Sequence, residues 1–346
     1  MTRSMLAAAL AVSLALSTQG CGKPGAEGAS AVPKSAVKIV FGEQRNTRPI
    51  AEVAKVFDDA PYDFQWATFA TPSVEFEAFR SGAIDLASSN DITVLNAANA
   101  GLKMKIVATQ AGSFLQKSVG IIVPKASPIH SVAELKGHHV VVSTARGGSG
   151  DNLLHGALKE AGLKPQDVTI SYAPFSDGLT AFQSGAVEVL VTNDPYLIVA
   201  EQSGGRVLRN GEGINSGLGL IAASDAALAD PAKRAAIADV LERLYKAGDW
   251  VIEHPDEYAA YLSKDTGLDP KIARLVVERG TVHVQAVTEA VIATEQKVAD
   301  ELVARGLWSQ PVDVRRFFDP SVYIAGAPAA GAGAPAKPNA ATEKQP

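Results

Sequence analysis

A phrase written twice constrains this chain more than any other feature: AFRSGAIDLASSND begins at Ala78 and AFQSGAVEVLVTNDP begins at Ala181. Each copy runs from apolar residues spaced for a helix face (Phe76 and Phe79; Leu179 and Phe182), through a Ser-Gly break, into branched apolar residues and a small polar end. Gly82 and Gly185 stand where a helix C-terminus needs positive φ. The residues after them, 84–87 and 187–191, read as short strands buried on both faces, as in a parallel sheet. The polar ends Ser88-Ser89-Asn90-Asp91 and Thr192-Asn193-Asp194 then fall at strand C-termini, the edge where open α/β sheets hold ligands. The separation of the copies exceeds the roughly 20–50 residue period of a solenoid and suits two similar lobes.

The chain starts with Arg3 and an apolar run from Met5 to Leu16, too short for the roughly 20 residues that span a bilayer and suited to a secretory signal. Cys21, the single cysteine, sits where a lipoprotein signal would be cut and the new N-terminus acylated. An ordinary cleavage beside an incidental cysteine is the other reading. The expectation is a signal at 1–20, a lipid-anchored flexible linker at 21–36 and a disordered Ala/Gly/Pro-rich tail at 324–346. Net charge is −5 and 20% of residues are charged, which gives no basic surface for nucleic acid.

In the remaining body, 37–42 reads as a strand leading into the polar loop Glu43-Gln44-Arg45-Asn46-Thr47-Arg48, with Pro49 in the first turn of a helix. Strand 64–69 ends at Ala70-Thr71-Pro72-Ser73, with Ser73 as the expected helix cap. Trp66 on that strand reads as core or as a cleft wall. Ser131 and Glu134 have the spacing of a capping box. Strand 139–143 delivers the chain into TARGGSGDN, and a helix is expected from Leu153 to Ala161.

The pattern SPI.SV.ELKG..V, a small-residue loop opening a helix, AL.EAGL.P.DV and F.SG.VE resembles the alkanesulfonate, taurine, nitrate and thiamine-precursor substrate-binding proteins of ABC importers. The resemblance covers about 37–318. It implies a mixed α/β, two-lobed periplasmic binding protein of the second type, with two crossover strands and the ligand between the lobes. The expected first lobe is 37–123 plus 220–323 and the second is 124–219. The partners it implies are a small anionic or zwitterionic solute and the ABC permease and ATPase; the expected protein is a monomer, attached to the membrane by its N-terminal lipid, in the periplasm.

The candidate ligand contacts are the polar residues at the strand ends: Gln44, Arg45, Asn46, Thr71, Ser73, Ser89, Asn90 and Asp91 on one side, Asn193, Asp194 and Tyr196 on the other. To these the loop adds Arg146, Gly147, Gly148 and Ser149. Small residues let the backbone approach an oxyanion, helix-start N–H groups bind it, and Arg146 adds a charge-assisted bond; the resemblance implies the same role for this loop. A plain Gly-rich turn is the alternative. Asp91 could cap a helix from Ile92, and Asp194-Pro195 has the form of an N-cap followed by proline at the first helical position. Either carboxylate could instead face the ligand. Asn193 stands where the resembling binders carry tryptophan, which implies a more polar or wider pocket.

The six histidines show no metal spacing, and no cofactor motif is present. The favoured function is a non-enzymatic solute receptor for a sulfonate, a sulfate ester or a related anion. A binder of a nitrogenous, thiamine-precursor-like solute and a sensing adaptor without transport remain open. So does an enzyme, since this fold also hosts dehydratases.

Overall fold

The computed structural model describes residues 36–44, 47–112, 115–144 and 146–325. The expected signal, Cys21, Arg45 and Asn46 lie outside the described residues, as does nearly all of the expected linker and tail.

In chain order the first passage is β1 (Lys38–Glu43), α1 (Arg48–Val53), β2 (Asp63–Thr68), α2 (Pro72–Arg80), β3 (Leu86–Asn90), α3 (Asp91–Asn99) and β4 (Met104–Ala111). The second is β5 (Val119–Pro124), β6 (His139–Val142), α4 (Ser149–Glu160), β7 (Thr169–Tyr172), α5 (Phe175–Gln183), β8 (Val189–Asn193), α6 (Tyr196–Gln202) and β9 (Gly205–Asn210). The chain then returns as β10 (Leu218–Ser224), α7 (Asp225–Ala229), α8 (Pro231–Glu253), α9 (Pro255–Thr266), α10 (Pro270–Arg279), β11 (His283–Ala286) and α11 (Glu289–Ala304).

These strands form two sheets, ordered β11-β4-β10-β3-β1-β2 and β7-β6-β8-β5-β9. The repeated phrase supplies the equivalent strand of each. β3 pairs parallel with β1 and antiparallel with β10; β8 pairs parallel with β6 and antiparallel with β5. Each antiparallel neighbour is the strand that has just arrived from the other sheet. The expected all-parallel setting is therefore half right, and both strands begin two residues later than the apolar pattern suggests. Gly82 and Gly185 do take φ of 76° and 77° after their helices. The acidic residue of each copy serves the far end of its strand: Asp85 accepts from the Val40 N–H and Lys233, and Glu188 accepts from the Ser127 hydroxyl.

The expected boundary after Val123 falls inside β5, which pairs with β8 and β9 in the second sheet. The chain passes between sheets at 112–118 and again at 211–217. The two passages touch: the Gln116 side chain donates to the carbonyls of Asn215 and Ser216 at 2.9 and 3.3 Å, and the Gly211 N–H donates to the Gln116 carbonyl. A Cβ on Gly211 would sit 2.6 Å from that carbonyl oxygen, so the close approach requires glycine here.

Strand residues alternate between faces, which puts an apolar layer on both sides of each sheet. On the first, Ile39, Phe41 and Leu86 pack against α8, while Ala87 and Ile106 pack with α2, α3 and α11. On the second, Val140, Val142 and Val191 pack under α4, and Val141 and Leu190 under α5 and α6. Trp66 resolves as core: it meets the rings of Phe41, Phe57 and Phe64 at centroid distances of 4.9–5.9 Å.

Local capping departs from expectation in four places. Thr71, not Ser73, holds the N-cap position of α2. Asn90 caps α3 by accepting from the Thr93 N–H at 3.0 Å, and Asp91 is already helical. Pro195 takes the N-cap position of α6, which leaves Asp194 outside the helix. Ser131 makes no cap bond; its hydroxyl and the His130 N–H both donate to Glu134. In each case a neighbour with the right backbone angles, or a tertiary partner, takes the role that a side-chain type suggested.

One core residue breaks the apolar pattern of α11. Glu295 is fully buried and neither carboxylate oxygen has a partner among the described residues. Burial first, and the nearby Asp91 charge second, push its carboxyl up from the ordinary value. A carboxyl whose folded value is raised keeps its proton while the unfolded chain releases one, so stability falls as pH rises above the ordinary glutamate range. Glu295→Gln should therefore match wild type near pH 5 and exceed it at pH 8 by about 1 kcal/mol or more, a rise of roughly 2–4 °C in a calorimetric melt. A stability difference independent of pH would contradict the assignment.

Candidate functional site

The carboxyl ends of the parallel strands bring two groups of polar residues to corresponding edges of the two sheets. On the first sheet, Gln44 at the end of β1 donates to Glu75 of α2 at 2.5 Å, and Glu75 also accepts from the Ser88 N–H at 3.0 Å. Burial pushes the Glu75 carboxyl up to about 7, against those two donors and with the Glu43 charge adding to it. Thr47 accepts from Gln110 of β4 at 2.7 Å, and Asn90 and Gln110 flank Gly219 of β10. Ser89 and Asp91 are buried at the same edge, while Thr71 and Ser73 are exposed at the start of α2. Asp91 accepts from the Ile92 N–H at 2.7 Å and from the Ser216 hydroxyl. Burial raises its carboxyl and these donors oppose the shift.

On the second sheet the helix of the glycine-rich loop starts at Ser149, four residues earlier than its apolar spacing suggests, because Gly148 supplies the extended N-cap conformation. Ser149 and Gly150 therefore lie in the first turn, whose N–H groups have no intrahelical acceptor. Asn193 at the end of β8 donates to the Ser149 hydroxyl oxygen at 3.0 Å, which leaves that hydroxyl's own proton available. At the carboxyl ends of β6 and β8, Ser143 Oγ, Thr144 Oγ1, Thr192 Oγ1 and Asn193 Oδ1 are buried without a partner among the described residues. Four orphaned polar atoms at two neighbouring strand ends are an unusual concentration, since buried polar groups are normally paired.

Gly147 differs from its expected role. Its N–H, expected to be open to an anion, donates to Asp151 at 2.9 Å with φ at 77°. Asp151 also accepts from Tyr172 at 2.6 Å and from Arg305 at 2.5 Å. Burial favours its neutral form, but His155, Tyr172 and the Gly147 N–H outweigh this and hold the carboxyl well below the usual range. Arg146 is exposed beside the Tyr172 hydroxyl. Asp194 pairs with Arg279 at 2.9 Å; burial pushes its carboxyl up to about 7 despite that guanidinium. Tyr196 stacks on Phe175 with centroids 5.2 Å apart.

Asn215, in the second passage between sheets, ties this loop to the crossing. It accepts from the Asn152 amide at 3.0 Å and donates to the Ser149 carbonyl at 3.2 Å. Sequence reasoning missed Glu75, Gln110, Asn215, Arg279 and Arg305, and gave Thr144 and Asp151 only as members of the loop TARGGSGDN. Asp151 had a further signal, as the acidic residue in the first turn of a helix opened by glycines. Among the described residues no group of His, Cys, Asp and Glu is arranged to hold a metal.

The NMT1/THI5 like family model matches residues 57–258. The chain belongs to that family. It is 34% identical over 260 residues to a protein of Escherichia coli (strain K12) named as an aliphatic sulfonates-binding protein, across 74% of this chain and 79% of the relative. Among solved structures, the periplasmic aliphatic sulphonate binding protein SsuA from Escherichia coli matches with a TM-score of 0.75 at 28% identity, over 82% of this chain and 92% of that one. The alkanesulfonate-binding protein SsuA from Xanthomonas axonopodis pv. citri, bound to MOPS, matches with a TM-score of 0.70 at 25% identity, over 84% and 99%. The fold is the two-lobed α/β fold of these periplasmic binding proteins, built on two sheets.

The loop conformation depends on Gly147. Gly147→Ala should lower stability by about 1 kcal/mol or more, because alanine is strained at positive φ. The calorimetric midpoint should fall by roughly 2–4 °C; an unchanged midpoint would mean that the loop relaxes freely.

Proposed function

We propose that this protein is the solute-binding component of an ABC importer and holds a small organic sulfonate between its lobes for delivery to the permease and its ATPase. The observation that carries this reading is the set of unpartnered hydroxyls, Thr144 and Thr192, at the carboxyl ends of β6 and β8, the sheet edge at which Ser149 opens α4. Hydroxyl and N–H donors gathered at one sheet edge suit an oxyanion that is fully ionised at any physiological pH. Arg146, Gly148, Ser149 and Asn193 are the contacts proposed on the second lobe, with Tyr196 nearby. Gln44, Arg45, Asn46, Thr71, Ser73, Ser89, Asn90 and Asp91 are those proposed on the first. The lobes comprise about 37–111 with 218–323, and 119–210. Binding is non-enzymatic and the protein acts as a monomer. The family relatives named as sulfonate binders, and their periplasmic location, support both the solute class and the compartment.

Calorimetric titration with ethanesulfonate tests the reading. Thr192→Val keeps the shape and removes a hydroxyl that has no partner, so stability should hold or rise while affinity falls roughly tenfold. Arg146→Ala should weaken binding by at least as much, with Arg146→Lys restoring part of it because lysine keeps the charge and loses the fork. Equal affinities across wild type and these variants would remove the loop from the site.

Anchoring is proposed through acylation of Cys21 after signal cleavage, and no helix among the described residues is long and apolar enough to cross a membrane. Cys21→Ser should move the protein from the membrane fraction to the soluble fraction. Unchanged partition would overturn the lipid anchor.

A further inference from the structure

Two carboxylates lie at the ligand edge of the second lobe, and each is met by an arginine from the first. Arg279, the last residue of α10, donates to Asp194 at 2.9 Å and also to Glu201 of α6. Arg305, just past α11, donates to Asp151 at 2.5 Å and to the Asn152 side chain at 3.1 Å. Both contacts are largely buried: Asp151 is fully covered, its arginine is 11% exposed, and the Asp194 side chain is 11% exposed. α10 packs with α9 on the first lobe, and α11 packs on α3, so neither arginine belongs to the lobe that it neutralises. A third cross-lobe pair, Lys159 with Glu301, is exposed and contributes little.

We propose that Arg279 and Arg305 form a closure-dependent charge switch, so that the second lobe becomes hospitable to an anion only when the first lobe closes on it. With the lobes apart, the ligand edge of the second lobe carries Asp151 and Asp194, with Glu201 behind them near the end of α6, against Arg146. That face repels a sulfonate. Closure brings two guanidiniums to the three carboxylates and brings the edge near neutrality, with the donors of the α4 start still open. An anion then stabilises the closed state through charge carried by the other lobe as well as through its own contacts, which is the differential affinity that a ligand-driven closure needs. This rests on the sulfonate-binding reading above and explains how an acidic protein accepts an anionic solute.

The test uses the full chain and two readouts, small-angle X-ray scattering without ligand and calorimetric titration with ethanesulfonate. Arg279→Gln and Arg305→Gln should each enlarge the ligand-free radius of gyration relative to wild type and weaken ethanesulfonate binding at least tenfold, the double variant more than either. Arg305→Lys should recover compactness and part of the affinity. A melting transition near that of wild type confirms that each variant is folded; Arg279, the more exposed of the two, carries the test if Arg305→Gln is not. Unchanged scattering together with affinities within twofold of wild type would overturn the proposal. If wild type itself binds no ethanesulfonate, the solute assignment fails, and the ligand-free scattering still decides whether the arginines hold the lobes together.

Discussion

Everything at the candidate site depends on the contact between the two chain passages that join the sheets. Gln116 of the first passage holds the carbonyls of Asn215 and Ser216 in the second, and the Gly211 backbone returns the bond. From that junction Ser216 reaches Asp91 at the ligand edge of the first lobe, and Asn215 reaches Ser149 and Asn152 at the ligand edge of the second. The crossing is therefore bonded to both halves of the site. Movement of one lobe against the other would act through these bonds, which links the start of α4 to the crossing.

The electrostatics follow from where the carboxylates sit. Glu75, Asp91 and Glu295 are buried in the first lobe with no arginine or lysine bonded to them among the described residues, and burial raises each one. Asp151 in the second lobe is equally buried, yet it is held ionised by four donors that converge on it. The two cases differ in the supply of donors and not in depth, in keeping with the high cost of an unpaired buried charge and the tolerance of a fully bonded one. Asp151 thereby shapes the loop: it takes the Gly147 N–H out of play and leaves the start of α4 at Ser149, beside the unpartnered Thr144 hydroxyl.

Which parts of this were legible in the sequence follows from the range of the interactions involved. The repeated phrase determined two matching helix-to-strand units, because helical spacing before Gly82 and Gly185 and apolar runs after them are local patterns read within a dozen residues. It also determined that Ser88–Asp91 and Thr192–Asp194 would end their strands at sheet edges, and the small residues of TARGGSGDN determined that a helix would open there. Tertiary structure alone decided the rest. The antiparallel neighbours β5 and β10 come from the far lobe, so no local pattern could announce them. Asn90, rather than Asp91, caps α3 because backbone angles within the folded sheet edge select between two capable side chains. The partners of Asp151 and Asp194 are Arg305 and Arg279, separated from them by 154 and 85 positions in the chain. Sequence specifies which residues can carry charge; only packing of α10 and α11 against the opposite lobe determines which charges meet, because Coulomb attraction depends on distance in space and not along the chain.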